Sequence, residues 1–355
     1  MLFLIYIYML FIMFIIYALI KESLIINNDY VSKFFEFNLI FISVFIISIT
    51  DINFADRAVY SSRFFEMQNL TLIETMRATN WEPLFVILIK FISMLTHDIV
   101  IFYIILHLIF LIIILKGLNK IFSKNKIKLI VLFIYLNYTL YFSYTLNGLR
   151  QGFAMALIIL AIGYALNNKK YKMLIVSVSS VFFHYATLPV ALFVIIIYFW
   201  KQIKISYLVI IYFILSIFYI VGLQRLLLSG LPINTFESYL QADAIQDFGG
   251  SNKLSYLAFN TFWLLFFLYM FKSNIKDNVY LFLMKSYILF SIYFLLFGFI
   301  AFANRVASYS WFIIPLLLGY FISKSKNTYL NIGILLAILI LGLVMVIPYY
   351  VWGKF

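Results

Sequence analysis

The 355-residue chain has no cysteine. That absence excludes disulfides, a thiolate nucleophile and every cysteine-ligated metal, and with them thiol redox enzymology and zinc-finger chemistry. Charge is also scarce, at 11% of residues against 66% in the hydrophobic set. One core cannot bury so much apolar surface in water, so an ordinary soluble domain is excluded and the solvent is lipid. No Gly-x-Ser-x-Gly elbow and no Walker loop occurs, which removes serine-hydrolase and ATP-driven readings. The histidines His97, His107 and His184 have no ligand spacing, so neither a metal nor another cofactor is expected.

What is present reads as an all-α polytopic membrane protein. Runs such as Met1–Ile20 and Leu330–Ile347 carry no charge and are long enough to cross a hydrocarbon layer of about 30 Å as helices. Met1–Ile20 lacks a basic start and a small-residue cleavage site, and is expected to be a retained first helix. The hydropathy pattern predicts about twelve helices, near 2–20, 33–50, 99–115, 128–145, 150–166, 173–184, 187–200, 205–221, 254–271, 279–302, 308–322 and 329–349. The short segment 84–96, with Pro83 before it and Lys90 within it, is expected to be re-entrant or surface-lying. On that parity residues 1–355 form a single membrane domain with 51–82 and 222–253 as extracytoplasmic loops. Neither a 20–50-residue repeat nor an inverted repeat is visible.

The formal charge of +13 comes from 26 basic and 13 acidic residues. In a soluble protein this excess would point to nucleic acid, but no nucleic-acid motif accompanies it. Of the 20 lysines, 14 fall in five short loops, 116–128, 169–172, 201–204, 272–276 and 324–326. Such loops mark the cytoplasmic side and contact anionic membrane lipid.

The six arginines, Arg57, Arg63, Arg77, Arg150, Arg225 and Arg305, all fall on the opposite side of this topology. Arginine offers a permanent planar fork suited to phosphate or carboxylate, whereas lysine is a flexible point charge. An anion on the outer face is one explanation; salt bridges to the eight acids sharing that face are the other. Arg150, in Asn147-Gly148-Leu149-Arg150-Gln151-Gly152, and Arg305, in Ala303-Asn304-Arg305-Val306, each begin a helical segment. Helix N-termini favour anions, so these two are the candidate anion ligands. His184 shares their face, at the turn of a helical pair, while His97 and His107 lack such company.

Five short motifs recur in an order that resembles the EpsG-like, Wzy-type oligosaccharide repeat-unit polymerases. They are Asp56-x-x-x-Tyr60, Glu82-Pro83-Leu84-Phe85, Leu149-Arg150-Gln151-Gly152-Phe153-Ala154, Phe183-His184-Tyr185-Ala186 and Asn304-Arg305-x-x-x-Tyr309. The resemblance covers about residues 40–310, with Asn53-Phe54-Ala55 where the family usually has Gly-Thr before the aspartate. It implies a GT-C-like helical fold in the bacterial inner membrane and a glycosyltransferase that polymerises undecaprenyl-pyrophosphate-linked oligosaccharides into O-antigen or a similar surface polysaccharide at the periplasmic face. It also implies a flippase and a chain-length regulator as partners. In that chemistry Arg150 and Arg305 would bind pyrophosphate, Tyr60, Gln151 and Tyr309 would position substrate, and His184, Asp56 or Glu82 would activate the acceptor hydroxyl. The competing class is a lipid-linked oligosaccharide flippase or secondary transporter, which should line a path through the bilayer with polar groups. Few mid-membrane charges occur between 128 and 221. A membrane acyltransferase could use His184, but no acyl-donor route is apparent.

Overall fold

The computed structural model describes residues 29–48, 50, 56–224, 252–270, 277–325, 327, 329–338 and 340. Every regular element among them is helical. In chain order these are α1 (Asp29–Ser48), α2 (Asp56–Gln68), α3 (Leu72–Ala78), α4 (Pro83–Leu95), α5 (Ile99–Ile121), α6 (Asn125–Asn137), α7 (Thr139–Leu146) and α8 (Leu149–Leu166). There follow α9 (Lys170–Phe183), a 3₁₀ turn (Tyr185–Thr187), α10 (Leu188–Phe199), α11 (Ile205–Val221), α12 (Leu254–Met270), α13 (Asn278–Phe297), α14 (Ala303–Trp311) and α15 (Ile314–Lys324). A short apolar helix, α16 (Tyr329–Ile338), is the last.

Four stretches are long and apolar enough to span a bilayer: α5, α8, α13 and the run Ala303–Lys324 formed by α14 and α15. The pattern of exposure fits lipid. Helix α11 buries Tyr212, Ser216 and Tyr219 while exposing Ile210, Ile214, Ile217 and Val221. Polar groups inside and aliphatic groups outside invert the rule for water-soluble helices, because only the interior can satisfy a hydroxyl in hydrocarbon. The chain is a multi-pass membrane protein.

Helix α8 lies in the interior with α13 and the α14–α15 run, with 83% of its span buried against 39% for α5. It packs closely on α5: a Cβ at Gly163 would lie 2.6 Å from Lys120 Cβ and 3.0 Å from the Gly117 carbonyl oxygen. Small residues here permit a backbone approach that larger ones would block.

The structure redraws several predicted boundaries. The helix expected over 128–145 is broken at Tyr138, whose backbone is extended. Asn137 turns its amide onto the Phe133 carbonyl at 2.8 Å, the local competition with helix geometry that asparagine offers. The segment expected over 308–322 starts at Ala303 and breaks before Pro315, where Tyr135 donates its hydroxyl to the freed Phe312 carbonyl. The helix expected to run to 302 stops at Phe297. The expected loop 51–82 contains α2 and α3, the latter closed by a capping box between Thr71 and Glu74. Segment 84–96 is the regular helix α4, started by Pro83 and packed through Phe85, Ile89 and Ile92. The helix expected near 2–20, the end of the last helix beyond 340, Arg225 and most of loop 222–253 lie outside the described residues.

Three of the lysine-rich loops, 116–128, 169–172 and 201–204, meet at one end of the bundle. Asn167 donates to the Lys120 carbonyl at 2.6 Å, Lys201 to Asn168 at 3.1 Å and Lys285 to the Lys201 carbonyl at 2.7 Å. Arg150 stands at the other end of α8. Eighteen helical residues separate the two ends by about 27 Å, close to the hydrocarbon thickness.

Candidate functional site

Glu82 is the hub of the arginine end. It occupies the N-cap of α4, but its side chain makes no cap hydrogen bond. The carboxylate instead reaches between the start of α8 and the end of α9, where it is 4% exposed. Arg150 Nη1 donates to Oε2 at 2.7 Å, while His184 Nδ1 and the Tyr185 amide donate to Oε1 at 2.9 and 3.2 Å. Three elements distant in sequence are thereby joined through one acid.

The local fold explains each approach. Arg150 lies in the first turn of α8. His184 ends α9 in an extended conformation, and the 3₁₀ turn that follows, with Pro189 starting α10, turns the chain back. The turn presents both the imidazole and the Tyr185 amide to the same carboxylate oxygen.

Burial alone would raise Glu82, but the His184 hydrogen bond and the Arg150 charge outweigh it and hold the carboxyl at about 2. Burial lowers His184 below its ordinary value; the Glu82 contact opposes this, and the Arg150 and Arg305 charges add to the lowering. At neutral pH the pair is therefore a carboxylate and a neutral imidazole. Because a carboxylate only accepts, Nδ1 carries the proton and Nε2 bears the lone pair. Nε2 makes no hydrogen bond to any described residue, and the His184 side chain is 17% exposed. This is the arrangement of an oriented general base.

The remaining predicted residues gather around this pair. Tyr60 is buried beside Trp81 and Phe85, with ring centroids 5.2 and 5.7 Å away, and its hydroxyl interacts with Arg150. Arg150 also sits over the Trp81 ring at 5.6 Å. Asp56 begins α2, where its amide donates to Asn147 Oδ1 at 2.8 Å. Its carboxylate lies 3.6 Å from Arg305 Nη2, and these side chains are 41% and 37% exposed. Arg305 thus keeps donors open to solvent, beside the Phe302 ring at 4.4 Å. Phe302 adopts φ 61°, a left-handed conformation costly for an aromatic residue and of the kind that clusters at functional sites.

Gln151 and Tyr309 act from below. Gln151 is buried and donates to the Arg305 carbonyl at 2.6 Å and to Ser308 Oγ at 3.1 Å, tying α8 to the first turn of α14. Tyr309 is buried and pairs with Thr187 at 2.9 Å, beneath the His184 turn. Both hold the elements that carry Arg305 and His184, and neither presents its polar group to the open side.

All eight predicted site residues therefore meet in one cluster. Arg57, read from the sequence as an outward cation, is instead 1% exposed with its guanidinium 3.8 Å from the Tyr103 ring centroid. Arg63 is in an exposed ion pair with Glu66 at 2.6 Å. Sequence reasoning missed Trp81, although it directly precedes Glu82, and the capping role of Asn147. It also missed the company of His107, whose Nε2 meets Ser43 at 2.8 Å and Tyr141 at 2.7 Å inside the bundle. His97 is exposed in the α4–α5 turn. Among the described residues no three of His, Asp and Glu gather as metal ligands would.

The model of the EpsG family matches residues 60–354. No curated protein and no solved structure matches the chain.

Proposed function

The chain belongs to the EpsG family, and on that premise we propose that it is a membrane glycosyltransferase polymerising undecaprenyl-pyrophosphate-linked oligosaccharide repeat units. Its product would be O-antigen or a similar surface polysaccharide, made at the periplasmic face of a bacterial inner membrane. The observation that carries this reading is Glu82 holding Arg150 on one oxygen and His184 on the other.

The reaction needs a base for the acceptor hydroxyl and a cation for the departing pyrophosphate, side by side. His184 Nε2 takes the hydroxyl proton as the acceptor oxygen bonds to the donor's anomeric carbon. The bond from that carbon to the pyrophosphate oxygen breaks, and the lipid pyrophosphate leaves with the electron pair. Arg150 and Arg305 stabilise the charge it gains without a proton transfer. Glu82 fixes the imidazole tautomer and stabilises the imidazolium that forms. Held at about 2, it is itself too weak a base for the hydroxyl. Asp56 orients Arg305 across the open side. The family resemblance implies, as partners in the cell, a flippase that delivers lipid-linked units and a regulator of chain length.

The test is the surface glycan of a strain lacking the gene, resolved by length on a gel. Single repeat units on the surface are expected. Repeat units retained on the cytoplasmic leaflet would favour a flippase and reject the polymerase.

A further inference from the structure

A groove of about 510 Å³ opens between the α6–α7 break, α12, the α14–α15 run and α16. That volume is in the range of about 300–1,000 Å³ typical of ligand sites. Its walls are almost wholly apolar and include Tyr256, Phe259, Trp263, Trp311, Leu318 and Ile338. Along α12 the lining runs from Ser255 to Phe266, which is about 16 Å of helix.

Three observations connect this groove to the arginine cluster. Helix α14 carries Arg305 in its first turn and Trp311 at its end, about 9 Å further along the axis. Tyr144 donates to Ser308 at 2.7 Å, between those two residues, and Trp311 meets the ring of the groove residue Tyr256 at 5.3 Å. At the mouth, Lys253 lies 5.5 Å from the Tyr256 ring centroid, a lysine at the arginine end of the bundle. The groove therefore begins beside cations at headgroup level and continues into the hydrocarbon.

We propose that the groove holds the polyprenyl tail of the donor, the lipid-linked glycan whose pyrophosphate leaves; this rests on the polymerase reading above. The assignment to donor follows from the chemistry. The acceptor attacks through its non-reducing end, so its own pyrophosphate lies a full oligosaccharide away from His184. The donor's pyrophosphate is bonded to the reacting carbon and must sit at Arg150 and Arg305. A tail leaving that position has the groove along α14 as its path. The aromatic wall formed by Phe259, Trp263 and Trp311 suits a branched, unsaturated chain, and selection within a bilayer comes from such packing because free lipid is equally apolar.

The full chain in detergent supplies the test, with undecaprenyl pyrophosphate and the ten-carbon geranyl pyrophosphate as probes. The long chain is expected to bind at least about tenfold more tightly. Ser255→Trp and Ala337→Trp, which fill the groove from exposed positions, are expected to abolish that difference and leave geranyl pyrophosphate binding unchanged. In native membranes, a photoreactive benzoylphenylalanine at Phe262 is expected to label polyprenyl lipid. Equal affinity for both chains, an unchanged preference in both Trp variants, or labelling of phospholipid or of residues 2–20 in place of polyprenyl lipid would overturn the groove assignment alone. Failure of both pyrophosphates to bind would instead strike the pyrophosphate reading itself, and the groove assignment with it.

Discussion

At the residue scale, Glu82 joins a guanidinium to an imidazole, holding Arg150 on one oxygen and His184 on the other. Glu82→Gln keeps the shape, leaves Arg150 without its counter-charge and frees His184 to adopt the other tautomer. Polymerisation is expected to fall by about 10²–10⁴-fold, the usual contribution of general acid–base catalysis, measured as initial rate with purified protein. The pH dependence follows from His184 lying below its ordinary value of 6.5. The rising limb of kcat/KM is expected below pH 6.5, and further down in Glu82→Gln, because Glu82 is the partner that raises the imidazole. Stability should follow the same sign. Both groups have folded values below their unfolded ones, so the unfolded chain binds more protons and stability rises with pH across each window. The Glu82 contribution is present above 4.5 and is lost as pH falls toward about 2. Melting temperature is therefore expected to drop on acidification from pH 7, and to drop less steeply between 4.5 and 2 in Glu82→Gln. A flat profile would remove the pair from the stability account.

At the scale of elements, the site depends on how α7 meets α8. A Cβ at Gly152 would lie 2.4 Å from the Tyr144 carbonyl oxygen, a backbone atom that cannot swing aside. Gly152→Ala is expected to destabilise by about 1–3 kcal/mol through overpacking and to shift Arg150, read as a lower melting temperature with reduced turnover. An unchanged melting temperature would show that the two helices separate freely. The cluster was legible in the sequence because charge is so rare in this chain that Arg150, Glu82, His184 and Arg305 stand out against an apolar background. The breaks at Tyr138 and Phe312 were not. In segments that are apolar on every face, periodicity no longer marks a helix end, and each break is made good by a distant or local hydrogen bond such as Tyr135 to Phe312. Helices α2 and α3 were hidden for the opposite reason, since their many charges read as a loop. Which of the three candidate bases was oriented could not be read from spacing, because Glu82 and His184 are 102 residues apart.

For the whole molecule, the two ends of α8 define the sides of the membrane. Reporter fusions within 121–124, 168–169 and after 325 are expected to label as cytoplasmic, and fusions within 69–71 and at 252–253 as periplasmic. Cytoplasmic labelling at 69–71 would set the site on the wrong side for surface glycan assembly. The polymerase account meets its most direct test in product length from the purified chain supplied with undecaprenyl-pyrophosphate-linked repeat units. The wild-type chain is expected to yield a ladder of long glycans, while His184→Gln binds the lipid-linked unit yet yields none. Arg150→Lys, which keeps the charge and loses the fork, should yield short products only. Ladders of normal length from both His184→Gln and Arg150→Ala would contradict the account.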